Sequence, residues 1–260
     1  MKRLYYILLL CLAIFSITDT YAQDYKIPVQ NTKEGKLTLN DFPNDLPVEG
    51  YSGNEIIITS DMPAQAPDRA KGLQPVYAGG TDNTGMAVAV EKNGSAVTLQ
   101  CLLPVTKSAN YKIKVPDNFS IEINNDCGHS DNVTVENVKG EVAVKNCQGI
   151  KVKNVSGPLV LSTISGNINI NFTTLAKDRP ISLASVSGEI DVTIPPATGV
   201  NVELETISGS IYSDFDFPSG DKKMRRIGGN NISTSLNGGG ADLKITNVSG
   251  NIYFRKGKAS

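Results

Sequence analysis

The chain has 260 residues with 25 basic and 26 acidic side chains. A net charge of −1 leaves no electrostatic reason to expect nucleic acid or an anionic membrane as partner. Hydrophobic residues make up 40% but aromatics only 6%, and Trp is absent, so the core must be built from Val, Ile and Leu, the β-branched of which favour strands. A single histidine, His129, excludes a histidine-rich metal site.

The first 22 residues read as a targeting segment. Lys2 and Arg3 form a basic start, Leu4 to Ile17 is apolar except for Ser16, and Thr20 and Ala22 precede a cleavage site before Gln23. The apolar run is shorter than the ~18 residues of a membrane span, which argues for cleavage over anchoring. A lipoprotein reading would use Cys11, but Leu10 before it is bulky. The expectation is an extracytoplasmic protein, periplasmic or at the cell surface, with no transmembrane segment after signal cleavage. Cleavage leaves Cys101, Cys127 and Cys147, an odd number that argues against a disulfide framework.

From Gln23 to about Thr84 the pattern is irregular. Lys36–Leu39 and Glu55–Thr59 are candidate strands, and Asp61 to Gly80, with Pro63, Pro67 and Pro75, reads as a loop excursion. Met86 to Leu103 reads as a hairpin turning at Asn93-Gly94, which pairs Val90 with Val97, Val88 with Leu99 and Met86 with Cys101. Further on, Tyr111–Pro116 and Asp191–Pro195 end strands in proline. Each is followed by another alternating run, Phe119–Ile123 and Val200–Leu204. Proline cannot donate to an interior ladder, so these prolines mark corners.

The unit Thr163-Ile164-Ser165-Gly166-Asn167-Ile168-Asn169-Ile170 then recurs at Ser185–Val192, Thr206–Ile211 and Asn247–Phe254. Gly166, Gly188 and Gly209 are 22 and 21 residues apart, and Gly209 to Gly250 is 41, so an intervening copy is expected at Ile227–Gly229. The glycines are expected to line one corner, with Ile168, Ile190, Ile211 and Ile252 in a shared core. A period near 20 with short alternating strands is what a parallel β-solenoid needs, because each coil buries its face only by stacking on the next. The expected fold is all-β, a β-helix-like solenoid over residues 109–256. Residues 23–108 are expected to form an irregular β region that packs on or caps it.

The Asn-Val-Ser-Gly-Asn-Ile-Tyr pattern at 247–253, the Val115-Pro116 and Ile194-Pro195 corners, and Val76-Tyr77 with Asp82-Asn83-Thr84-Gly85 resemble a family of bacterial β-strand-repeat proteins labelled putative adhesins. The likeness covers roughly Gly35 to Lys256. It implies architecture and brings no catalytic residues.

Several residues invite chemistry. Cys127 and His129 suggest a thiol–imidazole pair, but no orienting carboxylate is specified, and a turn histidine beside a buried thiol is the simpler reading. Cys127 and Cys147 are one coil apart. Parallel in-register strands hold Cβ atoms ~4.8 Å apart, too far for a disulfide, so a ladder of buried thiols is expected. Asp214, Asp216 and Asp221 could hold calcium, although the first two simply alternate with Phe215 and Phe217. Glu189, Asp191, Glu203 and Glu205, with Lys151 and Lys153, could serve a polysaccharide-active enzyme, yet outward positions of any solenoid strand are polar. Asn167, Asn169, Glu189, Asp191, Ser210 and Tyr212 remain as a mixed polar strip suited to extended contact. The expected function is an exported, non-enzymatic envelope protein that binds an envelope protein or a glycan, with no cofactor or metal. The alternatives are a periplasmic accessory protein in envelope sensing and a polysaccharide-active β-helix enzyme.

Overall fold

The computed structural model describes residues 23–62, 68–73, 75–128, 130–175, 177–217 and 230–258. The targeting segment, His129, Asp221 and Ile227–Gly229 lie outside the described residues. The strands begin with β1 Gln23–Pro28, β2 Lys36–Asn40, β3 Asn44–Tyr51 and β4 Glu55–Ser60. Two short strands, β5 Val76–Tyr77 and β6 Gly80–Thr81, form a small ribbon. Then come β7 Val88–Asn93, β8 Ala96–Cys101, β9 Tyr111–Pro116, β10 Ser120–Asn124, β11 Ser130–Glu136 and β12 Val142–Asn146. The repeat region continues with β13 Ile150–Lys153, β14 Leu159–Thr163, β15 Ile168–Asn171, β16 Ile181–Ser187 and β17 Ile190–Ile194. The chain finishes with β18 Val200–Thr206, β19 Ile211–Ser213, β20 Asn230–Leu236, β21 Ala241–Ser249 and β22 Ile252–Lys256.

These strands build two ten-stranded sheets, and the chain crosses from one to the other at each corner. The first sheet runs β1-β4-β9-β3-β11-β13-β15-β17-β22-β19, and the second runs β7-β8-β2-β10-β12-β14-β16-β21-β18-β20. Each coil contributes one strand to each sheet and stacks in parallel on its neighbours, so the fold is an all-β, parallel solenoid. Alternation sets what each strand buries. In the first sheet Val133, Ile150, Ile168, Ile190, Ile252 and Ile211 form one ladder, and in the second Ile121, Val142, Leu159, Ile181 and Leu243 form another. Both ladders point inward and meet in one aliphatic core; only Ile211, in the outermost strand β19, is partly exposed.

Chain order and stacking order part company at both ends. The coil β18–β19 passes over one level of the stack, and the last coil, β21–β22, occupies the level it left, between β16–β17 and β18–β19. Gly209 and Gly250 are therefore neighbours, not two coils apart as the spacing of 41 suggested. The corner stacks in the order Gly166, Gly188, Gly250, Gly209, and a Cβ on Gly250 would overlap the carbonyl oxygen of Gly188. At the other end β2–β3 slots in the same way between β8–β9 and β10–β11. The antiparallel strands β1, β4, β7 and β20 flank these terminal coils. The expected boundary between 108 and 109 thus has no counterpart in the sheets, because strands from before it are rungs of the same stack.

Two local expectations need correction. In the β7–β8 hairpin Asn93 pairs with Ala96, Val90 with Leu99 and Val88 with Cys101, so the turn is Gly94-Ser95. Gly94, at φ 60°, takes the first central position, as in a type II′ turn. The register is two residues away from that expected, which preserves the face of every side chain. Cys127 and Cys147 form a disulfide with Cα atoms 5.2 Å apart. Neither lies in a strand. Both occupy bends between the sheets, where the ladder geometry that separates Cβ atoms no longer applies. Cys101 is buried and free.

Candidate functional site

The outer face of the first sheet gathers the strongest set of polar and aromatic side chains. The inward ladder of isoleucines obliges alternate residues to face water. One row is Lys151, Asn169, Asp191, Tyr253 and Tyr212, in register across β13, β15, β17, β22 and β19. Tyr212 and Tyr253 stack with ring centroids 5.4 Å apart and planes 14° apart. The Arg255 guanidinium lies 5.0 Å from the Tyr253 centroid, so Tyr253 contacts both a cation and a second ring. Arg255 Nε donates to both carboxylate oxygens of Asp191, at 2.9 and 3.0 Å. That bond raises the pKa of the guanidinium further above its ordinary value.

A second row ties the first down. Tyr253 Oη donates to Glu189 Oε1 at 3.0 Å, and Asn251 Nδ2 donates to Tyr253 Oη at 3.2 Å. The Asn167 side-chain oxygen accepts the Glu189 backbone N–H at 2.8 Å, and Asn251 Oδ1 accepts that of Ser210 at 3.0 Å. Tyr253 is thus fixed at ring and hydroxyl, whereas Tyr212 is 53% exposed. Beside the aromatic pair a shallow groove of about 230 Å³ is lined by Lys151, Lys153, Asn169, Asn171, Asp191 and Arg255. It shares Lys151 and Asn169 with a second groove of about 580 Å³ that reaches Asp45 and Asn132.

Of the six residues singled out in the sequence, Asn169, Asp191 and Tyr212 lie on strands of this sheet, and Asn167, Glu189 and Ser210 stand one residue before β15, β17 and β19, in the second row. Arg255 and Asn251 were missed. Their repeat was placed two coils from Gly209 and not beside Gly188, so the contacts of Arg255 with Asp191 and of Asn251 with Glu189 were hidden. The other acids do not join the site, since Glu203 and Glu205 lie on β18 of the second sheet, with Glu203 paired to Lys244 at 3.0 Å. Lys153 is paired to Glu136 at 3.1 Å.

The remaining candidates resolve differently. Cys127 is held in the disulfide, and its proposed partner His129 lies outside the described residues. Burial pushes the Cys101 thiol up, which keeps it protonated and weakly nucleophilic. Asp214 accepts the Lys256 backbone N–H at 2.7 Å, and Phe215 beside it turns inward to stack on Phe254 at 4.9 Å. Among the described residues no cluster of His, Cys, Asp and Glu could hold a metal ion. One surface feature was unforeseen. The first apolar residue of each repeat, Ile164, Val186, Val248 and Ile207, stands half-exposed in that spatial order along the glycine corner.

A family model described as Toastrack DUF4097 matches residues 106–255. No curated protein sequence matches the chain. Three solved structures are similar. A putative cell adhesion protein from Clostridium sporogenes ATCC 15579 is 13% identical over 91% of this chain and 100% of that one, with a TM-score of 0.44. A putative adhesin from Bacteroides fragilis NCTC 9343 is 13% identical over 90% and 97%, with a TM-score of 0.30. A putative adhesin from Parabacteroides merdae ATCC 43184 is 9% identical over 91% and 97%, with a TM-score of 0.26.

Proposed function

The chain belongs to the Toastrack DUF4097 family, and we propose that it acts as an exported, non-enzymatic binding protein of the cell envelope. The observation that carries this reading is the connected surface on the first sheet, where Asn167, Glu189, Asp191, Asn251, Tyr253 and Arg255 hold one another in place. Such pre-organisation reduces the side-chain ordering that binding costs. The carboxylates there are engaged as acceptors, Asp191 by Arg255 and Glu189 by Tyr253 and the amide of Asn251. A general acid or base needs a group free to exchange its proton with substrate. Export rests on the basic, apolar and small-residue pattern of the first 22 residues.

The test is a screen of the purified protein against envelope and host polysaccharides, scoring binding and chain cleavage together. Binding without cleavage is expected. Cleavage that disappears in Glu189→Ala or Asp191→Ala overturns the reading. A second reading, an accessory protein in envelope sensing that binds another protein, is favoured by the half-exposed aliphatic corner. It predicts binding to an envelope protein that is lost in Val186→Lys, with no polysaccharide bound.

A further inference from the structure

We propose that the outer face of the first sheet binds a neutral polysaccharide laid across the strands, with one pyranose ring stacked on Tyr212. The proposal rests on the binding reading above and names its ligand class.

The stacking half follows from the aromatic pair. The Tyr253 ring is already engaged, by Tyr212 stacked on it and by the Arg255 guanidinium over it. Tyr212 stacks on Tyr253 by one face only and belongs to β19, the outermost strand of its sheet. Its other face is an exposed apolar plate, held at a fixed angle by a ring that is itself fixed through Glu189. The C–H face of a pyranose is the complementary surface, flat and apolar with hydroxyls at its rim. An aromatic side chain with one apolar body and one polar tip suits such a surface.

The hydrogen-bonding half follows from the groove beside it. Sugar hydroxyls are paired donors and acceptors, and they need amides, carboxylates and guanidinium nitrogens held in place. Asn169, Asn171, Asp191 and Arg255 supply these within about 230 Å³. Arg255 bonds Asp191 through Nε alone, which leaves its terminal nitrogens as donors along the groove. Strands follow one another at ~4.8 Å, a step close to one sugar unit, so successive sugars meet successive rungs. Continuity with the second groove, through Lys151 and Asn169, gives room for several units.

Charge decides for a neutral chain over an acidic one. The basic groups of the groove are largely answered, Arg255 by Asp191 and Lys153 by Glu136. An anionic chain would also pass the carboxylates of Glu189 and Asp191. Lys151 alone offers little counter-ion attraction.

The experiment measures binding of the full exported chain to β-glucan, mannan and galactan, and to polygalacturonate and alginate, at low and high salt. At least one neutral polymer is expected to bind, with affinity nearly independent of salt. Tyr212→Ala should weaken that binding at least about tenfold, equivalent to ~1.4 kcal/mol, while Tyr212→Phe retains it. Tyr212→Phe keeps the stack on Tyr253 and should unfold at the wild-type denaturant midpoint, while Tyr212→Ala loses one exposed aromatic pair and should lower the midpoint only slightly, staying folded under the binding conditions. Neutral binding that survives Tyr212→Ala overturns the proposal but leaves the broader binding reading standing. Binding restricted to the acidic polymers, with steep salt dependence, overturns it in the same way. No binding to any polysaccharide overturns this proposal, and capture of an envelope protein would then mark the second reading as correct.

Discussion

Phe254→Ala tests the intercalated last coil. Phe254 is fully buried in β22, opposite Val192 of β17 and Ser213 of β19. Its ring stacks on Phe215 at 4.9 Å and lies 6.3 Å from Phe217. Truncating a buried Phe costs about 3–5 kcal/mol, and aromatic pairing accounts for ~0.5–1.5 of that. The location matters as much as the size. Among the described strands β19 pairs only with β22, and β18 pairs only with β21 and the antiparallel β20. Loosening β22 should therefore release β18, β19 and β20 first and expose one edge of β16 and β17, while β10 to β15 keep their neighbours on both sides. Urea unfolding gives the total cost, and native-state hydrogen exchange gives its distribution. Phe119→Ala, which removes an equally buried ring near β10, is the control. A loss under about 1 kcal/mol, or exchange that rises evenly through all coils, would refute the coil order described here.

Other outcomes follow from the same contacts. Cys127→Ser with Cys147→Ser should cost about 3 kcal/mol, since the bridge closes a loop of 20 residues; the denatured chain beginning at Gln23 should show one reactive thiol, Cys101, and an unchanged unfolding midpoint in the variant counts against the bridge. Asp82 is buried, which raises its pKa, but bonds from the backbones of Thr84, Ala87 and Gly85 and from the Thr84 hydroxyl outweigh that and hold it below the ordinary value. Its contribution should be complete above the unfolded carboxylate pKa and fade as pH falls through the folded one; Asp82→Ala should cost ~1–3 kcal/mol at pH 7 and flatten the acid limb of an unfolding titration. Ile190→Ala should cost about 2–5 kcal/mol, while Val186→Thr, four residues earlier on the exposed corner, should stay within ~0.5. Equal losses for the two in thermal unfolding would contradict the burial pattern.

The coils themselves were legible because each carries the same local signal, an alternating strand entered through a glycine corner. Ile168, Ile190 and Ile252 point inward as that alternation requires. Their spatial order was not legible. Asn247–Phe254 reads like any other repeat, and nothing in its residues says that it inserts between 185–192 and 206–211. That choice is made by long-range packing. Lys36–Leu39 was legible as a strand, but that it forms a rung of the stack with Asn44–Tyr51 was not, since their coil has no Ser-Gly corner and carries Pro47. The hairpin slipped because Asn93-Gly94 and Gly94-Ser95 are both good turns, and a two-residue shift leaves the hydrophobic faces unchanged. For the site, outward polarity at Asn169, Glu189 and Asp191 could be read from alternation. The partnership of Arg255 with Asp191 needed the stacking order.

Hydroxyl-radical footprinting of the protein with and without the tightest-binding polymer from the screen tests the binding face most directly. Tyr212 is 53% exposed on the first sheet, and Val160 is 48% exposed on the outer face of the second, so both are open to oxidation in the free protein. Bound polymer should protect Tyr212 and leave Val160 at its free rate. Protection of Val160 with Tyr212 still fully oxidised would place the ligand on the opposite sheet and contradict the account.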